Sequence, residues 1–166
     1  MTWLQRVWRH WLAQLRPARV LLPERALAKV EAEVRAAERT HAGEIRVAVE
    51  TSLSWLQLWR GLSARERALQ VFSALGVWDT AHNNGVLIYV LLADHAVEIV
   101  ADRAIAAHIP AAEWASLCSE VAALFQQGDA AAGCCLAVRR VGAHLARHFP
   151  AAGRGGNELP NQPVLL

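Results

Sequence analysis

Acidic and amide side chains flank two short apolar segments near the middle of the chain. Asp79, Asn83 and Asn84 precede the apolar run Val86–Leu92, and Asp102 follows the next apolar run. Hard cations such as Ca²⁺ and Mg²⁺ bind several carboxylate and carbonyl oxygens at about 2.0–2.6 Å. In an α/β sheet, loops at strand ends converge on one edge, where ligands usually bind. The sequence therefore predicts a Ca²⁺ or Mg²⁺ site formed by these four polar residues.

The same residues have a second interpretation that needs no metal. Asp and Asn are common in turns because their side chains bond the local backbone and tolerate left-handed conformations. The loop departs from the EF-hand pattern, with Ala81 at a ligand position and Val90 at the twelfth position. Asp94 falls at the opposite end of the predicted hairpin and is not part of the predicted site. A cation site and purely structural turns both stay open.

Familiar catalytic motifs are missing from the sequence. It contains neither a P-loop nor a G-x-S-x-G nucleophile turn. Cys134 and Arg140 match C-x5-R, but they lie in an Ala-rich helical segment, whereas a phosphate cradle needs a glycine-rich loop at a helix start. A phosphatase built on this chain would depend on Asp79, Asp102 and a bound cation. The sequence therefore favours a binding or regulatory module over an enzyme.

The N-terminal segment carries a different group of functional candidates. Apolar residues recur at helical spacing over residues 3–15, which predicts an amphipathic helix that ends at Pro17. A basic amphipathic helix with tryptophans can lie on an anionic membrane. The alternative is that the tryptophans pack into the core of the domain. The candidate membrane or partner face consists of Trp3, Arg6, Trp8, Arg9 and Trp11.

Helices and strands alternate along the rest of the chain. Charged and apolar residues alternate over Glu44–Glu50, which predicts a half-buried strand. Val86–Leu92 is continuously apolar and predicts a central strand covered on both faces. Ala96–Val100 is predicted to return beside it as the second strand of a hairpin. Helical periodicity before and after these segments indicates an α/β fold with a small mixed sheet covered by helices.

Composition and charge limit the expected cellular location and the expected classes of partner. The chain has 166 residues, 54% of them hydrophobic, and a formal net charge of +2. Its three cysteines are an odd number without a C-x-x-C pair, which predicts reduced thiols. No apolar run reaches the length of a membrane span, and no signal peptide is recognised. We therefore expect a cytoplasmic protein that binds no nucleic acid, because its arginines form no wide basic field.

Three segments together resemble the TPM-domain family, which is named for a thylakoid-lumen protein, a photosystem II protein and a modulator of a cholinergic receptor. They are Thr40–Val47, Val77–Ile88 with its Asn-Asn-Gly-Val-Leu-Ile sequence, and Val97–Asp102. The resemblance implies an α/β sandwich around a four-stranded sheet. It also implies a family in which some members are acid phosphatases, some bind calcium and others are accessory subunits. The chain is similar to a short, soluble bacterial branch of that family.

This resemblance divides the chain into three parts. Residues 1–22 are the extra N-terminal basic amphipathic helix, residues 23–150 are the TPM-like domain, and residues 151–166 are a flexible C-terminal tail, mobile or pinned only by Val164–Leu166. The expected function is a binding or regulatory module that binds a divalent cation and associates with the inner membrane surface or a membrane protein. The alternative is a metal-dependent acid phosphatase at the Asp79/Asp102 edge of the sheet.

Overall fold

A four-stranded mixed sheet with helices on both faces forms the protein. The computed structural model describes residues 2–15, 18–151 and 157–166. It confirms the predicted α/β class, the sheet of about four strands and the separate N-terminal helix. The helices are α1 (Trp3–Gln14), α2 (Ala18–Leu21), α3 (Glu24–Ala37), α4 (Trp55–Trp59), α5 (Ala64–Ala74), α6 (Arg103–Ala106), α7 (Ala111–Gln126) and α8 (Ala130–His148). The strands are β1 (Glu44–Glu50), β2 (Gly85–Leu91), β3 (Ala96–Ala101) and β4 (Val164–Leu165).

The strand order across the sheet is β3-β2-β1-β4. Strands β1 and β2 pair in parallel, with Ile45 opposite Val86, and β4 pairs in parallel with β1. Strand β3 returns antiparallel to β2 through a short 3₁₀ turn, Leu92–Asp94, as the hairpin prediction requires. All seven residues of β2 are buried, because helices cover both faces of this strand.

The two faces of the sheet build two separate cores. Successive side chains of a strand point to opposite faces, so Ile45 and Val47 belong to one core and Ala48 to the other. The first core packs against α3, α7 and α8, and the second packs against α4 and α5. Strands β1 and β2 are thus packed on both faces.

Strand β1 is more buried than its alternating sequence predicts. All seven of its residues are buried, including Glu44 and Glu50. Glu50 accepts hydrogen bonds from the Arg67 guanidinium at 2.8 and 3.0 Å and from the Tyr89 hydroxyl at 2.5 Å. Arg46 donates to the carbonyl of Gln162 at 2.7 Å. The prediction of a half-buried strand was wrong here, because protein groups replace water around the charges.

The described part of the C-terminal tail, residues 157–166, lies along β1. Val164 pairs opposite Ala48, and the Leu166 N–H donates to the Val49 carbonyl at 2.9 Å. Leu159 is also buried, and its N–H donates to Glu44 at 3.3 Å. The last residues of the chain thus form the fourth strand of the sheet. Residues 152–156 of the predicted flexible tail lie outside the described residues.

Candidate functional site

Three of the four residues predicted to bind a cation lie together at one end of the sheet. Asn83 and Asn84 come directly before β2, and Asp102 comes directly after the antiparallel β3. The Asp102 N–H donates to the Gly85 carbonyl at 2.9 Å, and the Arg103 guanidinium donates to Asn83 Oδ1 at 3.2 Å. This is the amino end of the parallel pair β1 and β2. The usual ligand crevice of an α/β sheet lies at the carboxyl ends, so that general rule does not support this site.

Two oxygen atoms at this end are buried without a hydrogen-bond partner among the described residues. They are Asn84 Oδ1 and Asp102 Oδ2. The other oxygen of Asp102 accepts from the Arg103 N–H at 2.7 Å, and Asn84 Nδ2 donates to the Ala42 carbonyl at 3.1 Å. A buried polar atom without a partner costs about 1–3 kcal/mol. Carboxylate and amide oxygens are the ligand types that a hard cation binds.

The remaining predicted ligand, Asp79, sits differently. It is exposed on the turn between α5 and β2, where its N–H donates to the Gly76 carbonyl at 2.9 Å. Within the described residues, no group of three or more His, Cys, Asp or Glu side chains is arranged to hold a metal ion. A cation at this end would therefore depend on Asp102, amide oxygens and water.

Helix α1 packs on the domain through its basic side. The Arg6 guanidinium donates to Asp94 Oδ2 at 2.8 and 3.0 Å, and the Arg9 guanidinium donates to Oδ1 at 2.5 Å. His10 is fully buried; its Nε2 lies 3.2 Å from Asp94 Oδ1, although not in the line of a good hydrogen bond. Its Nδ1 accepts from the Leu53 N–H at 3.0 Å. One carboxylate in the β2–β3 turn thus anchors three side chains of the helix.

The Asp94 carboxylate is held in its charged form by these contacts. Burial alone would raise the pKa of Asp94, but the interactions with His10 and Arg6 outweigh it and leave the pKa well below its ordinary value. The side chain of Asp94 is only 10% exposed. A charge so deeply buried is stable only with its partners in place.

The apolar side of α1 faces outward as a consequence. Trp3, Trp8 and Trp11 are 45%, 59% and 52% exposed. Trp55 of α4 lies beside this helix, with its ring centre 6.0 Å from that of Trp3. We call the combined patch the tryptophan surface; its members, all more than 40% exposed, are Trp3, Leu4, Trp8, Trp11, Trp55, Leu56 and Trp59.

The predicted membrane or partner face is therefore divided in the structure. Trp8 and Trp11 point outward, and Trp3 is partly exposed while its indole N–H donates to the Leu58 carbonyl at 3.3 Å. Arg6 and Arg9 turn toward Asp94. Among the described residues, no helix has the length and hydrophobicity needed to cross a bilayer. The exposed side chains of α1 are therefore mainly tryptophans and leucines.

Helix α4 completes the tryptophan surface, and helical periodicity does not predict it. Five residues are too few to show a helical period. Its start was nevertheless encoded, because Ser54 and Gln57 form a capping box in which each side chain accepts from the other residue's N–H. The Trp-Leu-Gln-Leu-Trp sequence of α4 was the second available signal.

Comparison with known proteins identifies the family of this chain. The family model of the TPM domain matches residues 17–144. The chain belongs to the TPM-domain family. A structural relative is the BA42 protein from the psychrophilic bacterium Bizionia argentinensis sp. nov., known from an NMR structure; it is 28% identical, with a TM-score of 0.76 over 87% of this chain and 95% of BA42. No curated protein sequence matches the chain.

The boundaries of the match separate two features of this TPM-domain protein. The amide and carboxylate residues at the amino end of β2 lie within the matched segment, as does α4. Helix α1, Trp3–Gln14, precedes the match. The tryptophans of α1 thus lie outside the segment that matches the TPM-domain model.

Proposed function

We propose that this TPM-domain protein is a non-catalytic binding module that docks on a membrane surface through the tryptophan surface. The observation that supports this proposal is the orientation of α1. The helix directs its basic side chains toward Asp94 and its tryptophans toward solvent. An amphipathic helix that served only to cover the core would have the opposite orientation.

The composition of the surface favours a lipid interface. Tryptophans concentrate at membrane–water boundaries, because their rings are apolar and their N–H groups remain hydrated. Exposed apolar patches that are this continuous normally mark interaction sites. Arg60, the C-cap residue of α4, is exposed beside this surface and can attract anionic lipid, at about 1 kcal/mol near the membrane.

The pairing of Arg6 and Arg9 with Asp94 shapes the expected binding. Their charge is partly neutralised and directed into the protein. Binding therefore depends mainly on apolar burial and only weakly on salt, in contrast to a helix with freely exposed arginines.

Replacing Trp8 and Trp11 together by serine is expected to lower vesicle binding about tenfold or more. Burying a large apolar side chain contributes about 1.5–3 kcal/mol, so two tryptophans account for a large share of the affinity. The measurement is sedimentation with vesicles of phosphatidylcholine and phosphatidylglycerol. Trp78→Ser is the matched control, because Trp78 is 53% exposed and lies before β2, at the far end of the sheet from Asp94.

Two results of this assay would reject the membrane proposal. The first is no sedimentation of the unaltered protein, which would leave a membrane protein as the partner of the surface. The second is equal sedimentation of the double variant and the Trp78→Ser control. A large loss of binding in 0.5 M salt would instead assign the affinity to arginines.

We also propose a second function, divalent-cation binding at the amino end of β2. The two unpartnered buried oxygens, Asn84 Oδ1 and Asp102 Oδ2, support it. Bound Mg²⁺ or Ca²⁺ would polarise a phosphoryl oxygen, the chemistry that a metal-dependent acid phosphatase requires. Asp102 would hold the cation and Asn84 would orient it. The Arg103 guanidinium, 4.0 Å from Asp102 Oδ1, would offer a donor to a substrate anion.

Titration with Ca²⁺ or Mg²⁺ is expected to give saturable amide shifts at Asn83–Gly85 and Asp102. Asp102→Asn should abolish these shifts, whereas Asp79→Asn should weaken them only slightly, because Asp79 lies on an exposed turn. Nuclear magnetic resonance of a nitrogen-labelled sample provides the measurement. Absence of shifts at millimolar metal would assign Asp102 a structural role as the N-cap of α6. A phosphoester hydrolysis rate that a chelator removes would support the phosphatase alternative.

A further inference from the structure

An apolar groove opens at the end of the sheet opposite the candidate cation site. It lies at the carboxyl ends of β1 and β2, between α1, the 3₁₀ turn and the corner that joins α7 to α8. Its volume is about 590 Å³. Small-molecule sites commonly have volumes of about 300–1,000 Å³, and α/β sheets bind ligands at this end of their strands.

The walls and mouth of the groove differ in character. Leu12, Leu92 and Phe125 are among the apolar residues of the walls. The ionisable residues of the described lining are Arg9 and His95, and this lining includes no acid. The groove thus combines an apolar lining with two cationic or protonatable side chains.

Arg9 retains hydrogen-bonding capacity toward a ligand. A guanidinium has five N–H donors, and Arg9 directs Nη2 to Asp94. Its Nε is buried, so the donors within reach of a ligand are the other N–H groups of this guanidinium, whose side chain is 35% exposed. Arg6 and Arg9 together carry two positive charges against the single carboxylate of Asp94, so a further anion is electrostatically favoured here.

We propose that this groove binds a long-chain fatty acid, with the alkyl chain along Leu12, Leu92 and Phe125 and the carboxylate at Arg9. An apolar wall beside a guanidinium with unused hydrogen-bond donors is complementary to an amphiphile with an acidic head group. His95 is exposed at the mouth and approaches the same head group. This site uses Leu12 and Ala13 of α1, whereas the tryptophan surface uses Trp8 and Trp11, so it does not depend on membrane docking.

Calorimetric titration with sodium laurate below its micelle concentration tests the proposal. We expect one laurate per chain, amide shifts at Leu92 and Phe125, and affinity that falls by up to about fourfold for each methylene removed from the ligand. Dodecyltrimethylammonium, which has the same chain and a cationic head, should not bind. Trp8→Ser with Trp11→Ser should leave laurate affinity unchanged, which separates this site from the tryptophan surface.

Arg9→Gln is expected to lower laurate affinity about tenfold, the loss of one charge-assisted hydrogen bond. Arg6→Gln is the matched control and should lower laurate affinity much less, because Arg6 contacts the same Asp94 carboxylate but does not line the groove. His95→Asn is a second variant; asparagine tolerates the left-handed backbone of His95, where φ is 50°. We expect this variant to bind laurate a few-fold more weakly.

Four outcomes would overturn the proposal. They are no laurate binding by the unaltered protein, equal affinity for the cationic amphiphile, equal losses in Arg6→Gln and Arg9→Gln, and loss of binding on removal of the two tryptophans. If Arg9→Gln does not fold, unchanged laurate affinity in His95→Asn together with binding of the cationic amphiphile would overturn it.

Discussion

Asp94→Asn is expected to lower the free energy of unfolding by about 3–5 kcal/mol, the range for removing one partner of a buried ion pair. Asparagine keeps the size of the side chain and removes its charge. Arg6, only 18% exposed, and the fully buried His10 would then face a neutral amide. Urea denaturation followed by circular dichroism measures the effect.

Glu33→Gln is the matched control for this prediction. Glu33 accepts from Arg139 at 3.3 Å, but that guanidinium is 55% exposed. Exposed ion pairs contribute about 0–1 kcal/mol, so the control should change stability little. Equal losses in the two variants would contradict the assignment of Asp94 as the anchor of α1.

The Asp94 carboxylate should also make the free energy of unfolding depend on pH in the acidic range. The folded-state pKa of Asp94 lies below its unfolded value of about 3.9. The contribution of Asp94 to the free energy of unfolding is therefore complete above about pH 5 and is lost progressively as the pH falls from there toward the folded-state pKa. The unaltered protein should therefore lose more stability between pH 6 and 3 than Asp94→Asn does. Parallel losses in urea experiments at the two pH values would contradict this mechanism.

Helix α1 shows which part of an amphipathic pattern a sequence can predict. Its period fixed the helix and its two faces, and Thr2 with Gln5 caps its start. Which face would turn inward could not be read from the period. That choice depends on Asp94, 88 positions from Arg6 in the chain, and on Leu53, whose N–H meets His10. Burial of polar side chains was decided by tertiary partners, which a local pattern does not contain.

The strands also show that a local pattern predicts an element but does not predict the burial of its charged residues. The continuously apolar β2 was predicted as a buried strand, and burial needed no knowledge of its neighbours. The alternating sequence of β1 predicts one solvent-exposed face, but Arg67 and residues of the C-terminal tail cover its charged side chains. Sequence patterns report hydrophobicity, whereas a charged residue is buried or exposed according to the partners that the fold supplies.

The path of the backbone places two of the predicted cation ligands, Asn84 and Asp102, near each other and a third, Asp79, on an exposed turn. The hairpin register alone brings Asn84 and Asp102 together, because Val86 pairs opposite Ala101. That much followed from the two apolar runs and the turn between them. Asp79 belongs to a loop whose path is set by tight contacts, and those contacts could not be inferred from its residue types.

Among substitutions that add one methyl group near the candidate cation site, Gly85→Ala is expected to lower the free energy of unfolding most. A Cβ atom at Gly85 would lie 2.0 Å from the Val77 carbonyl oxygen and 3.1 Å from its carbonyl carbon. Both obstacles are backbone atoms, so no side-chain rotation relieves the overlap. We expect a loss of about 4 kcal/mol or more, or failure to fold. Urea denaturation and the dispersion of amide resonances measure the outcome.

Gly76→Ala provides the control on the same loop. Gly76 has a φ of 65°, but a Cβ there would meet no atom within 4 Å. Alanine in a left-handed conformation costs about 1–2 kcal/mol, so this variant should fold. Similar stability of the two variants would show that the loop moves away from Gly85 at little cost. A much greater loss at Gly85 would mean that the Asn-Gly-Val sequence is fixed by packing: the glycine admits the Val77 carbonyl, and that contact holds Asn84 beside Asp102 whether or not a cation binds.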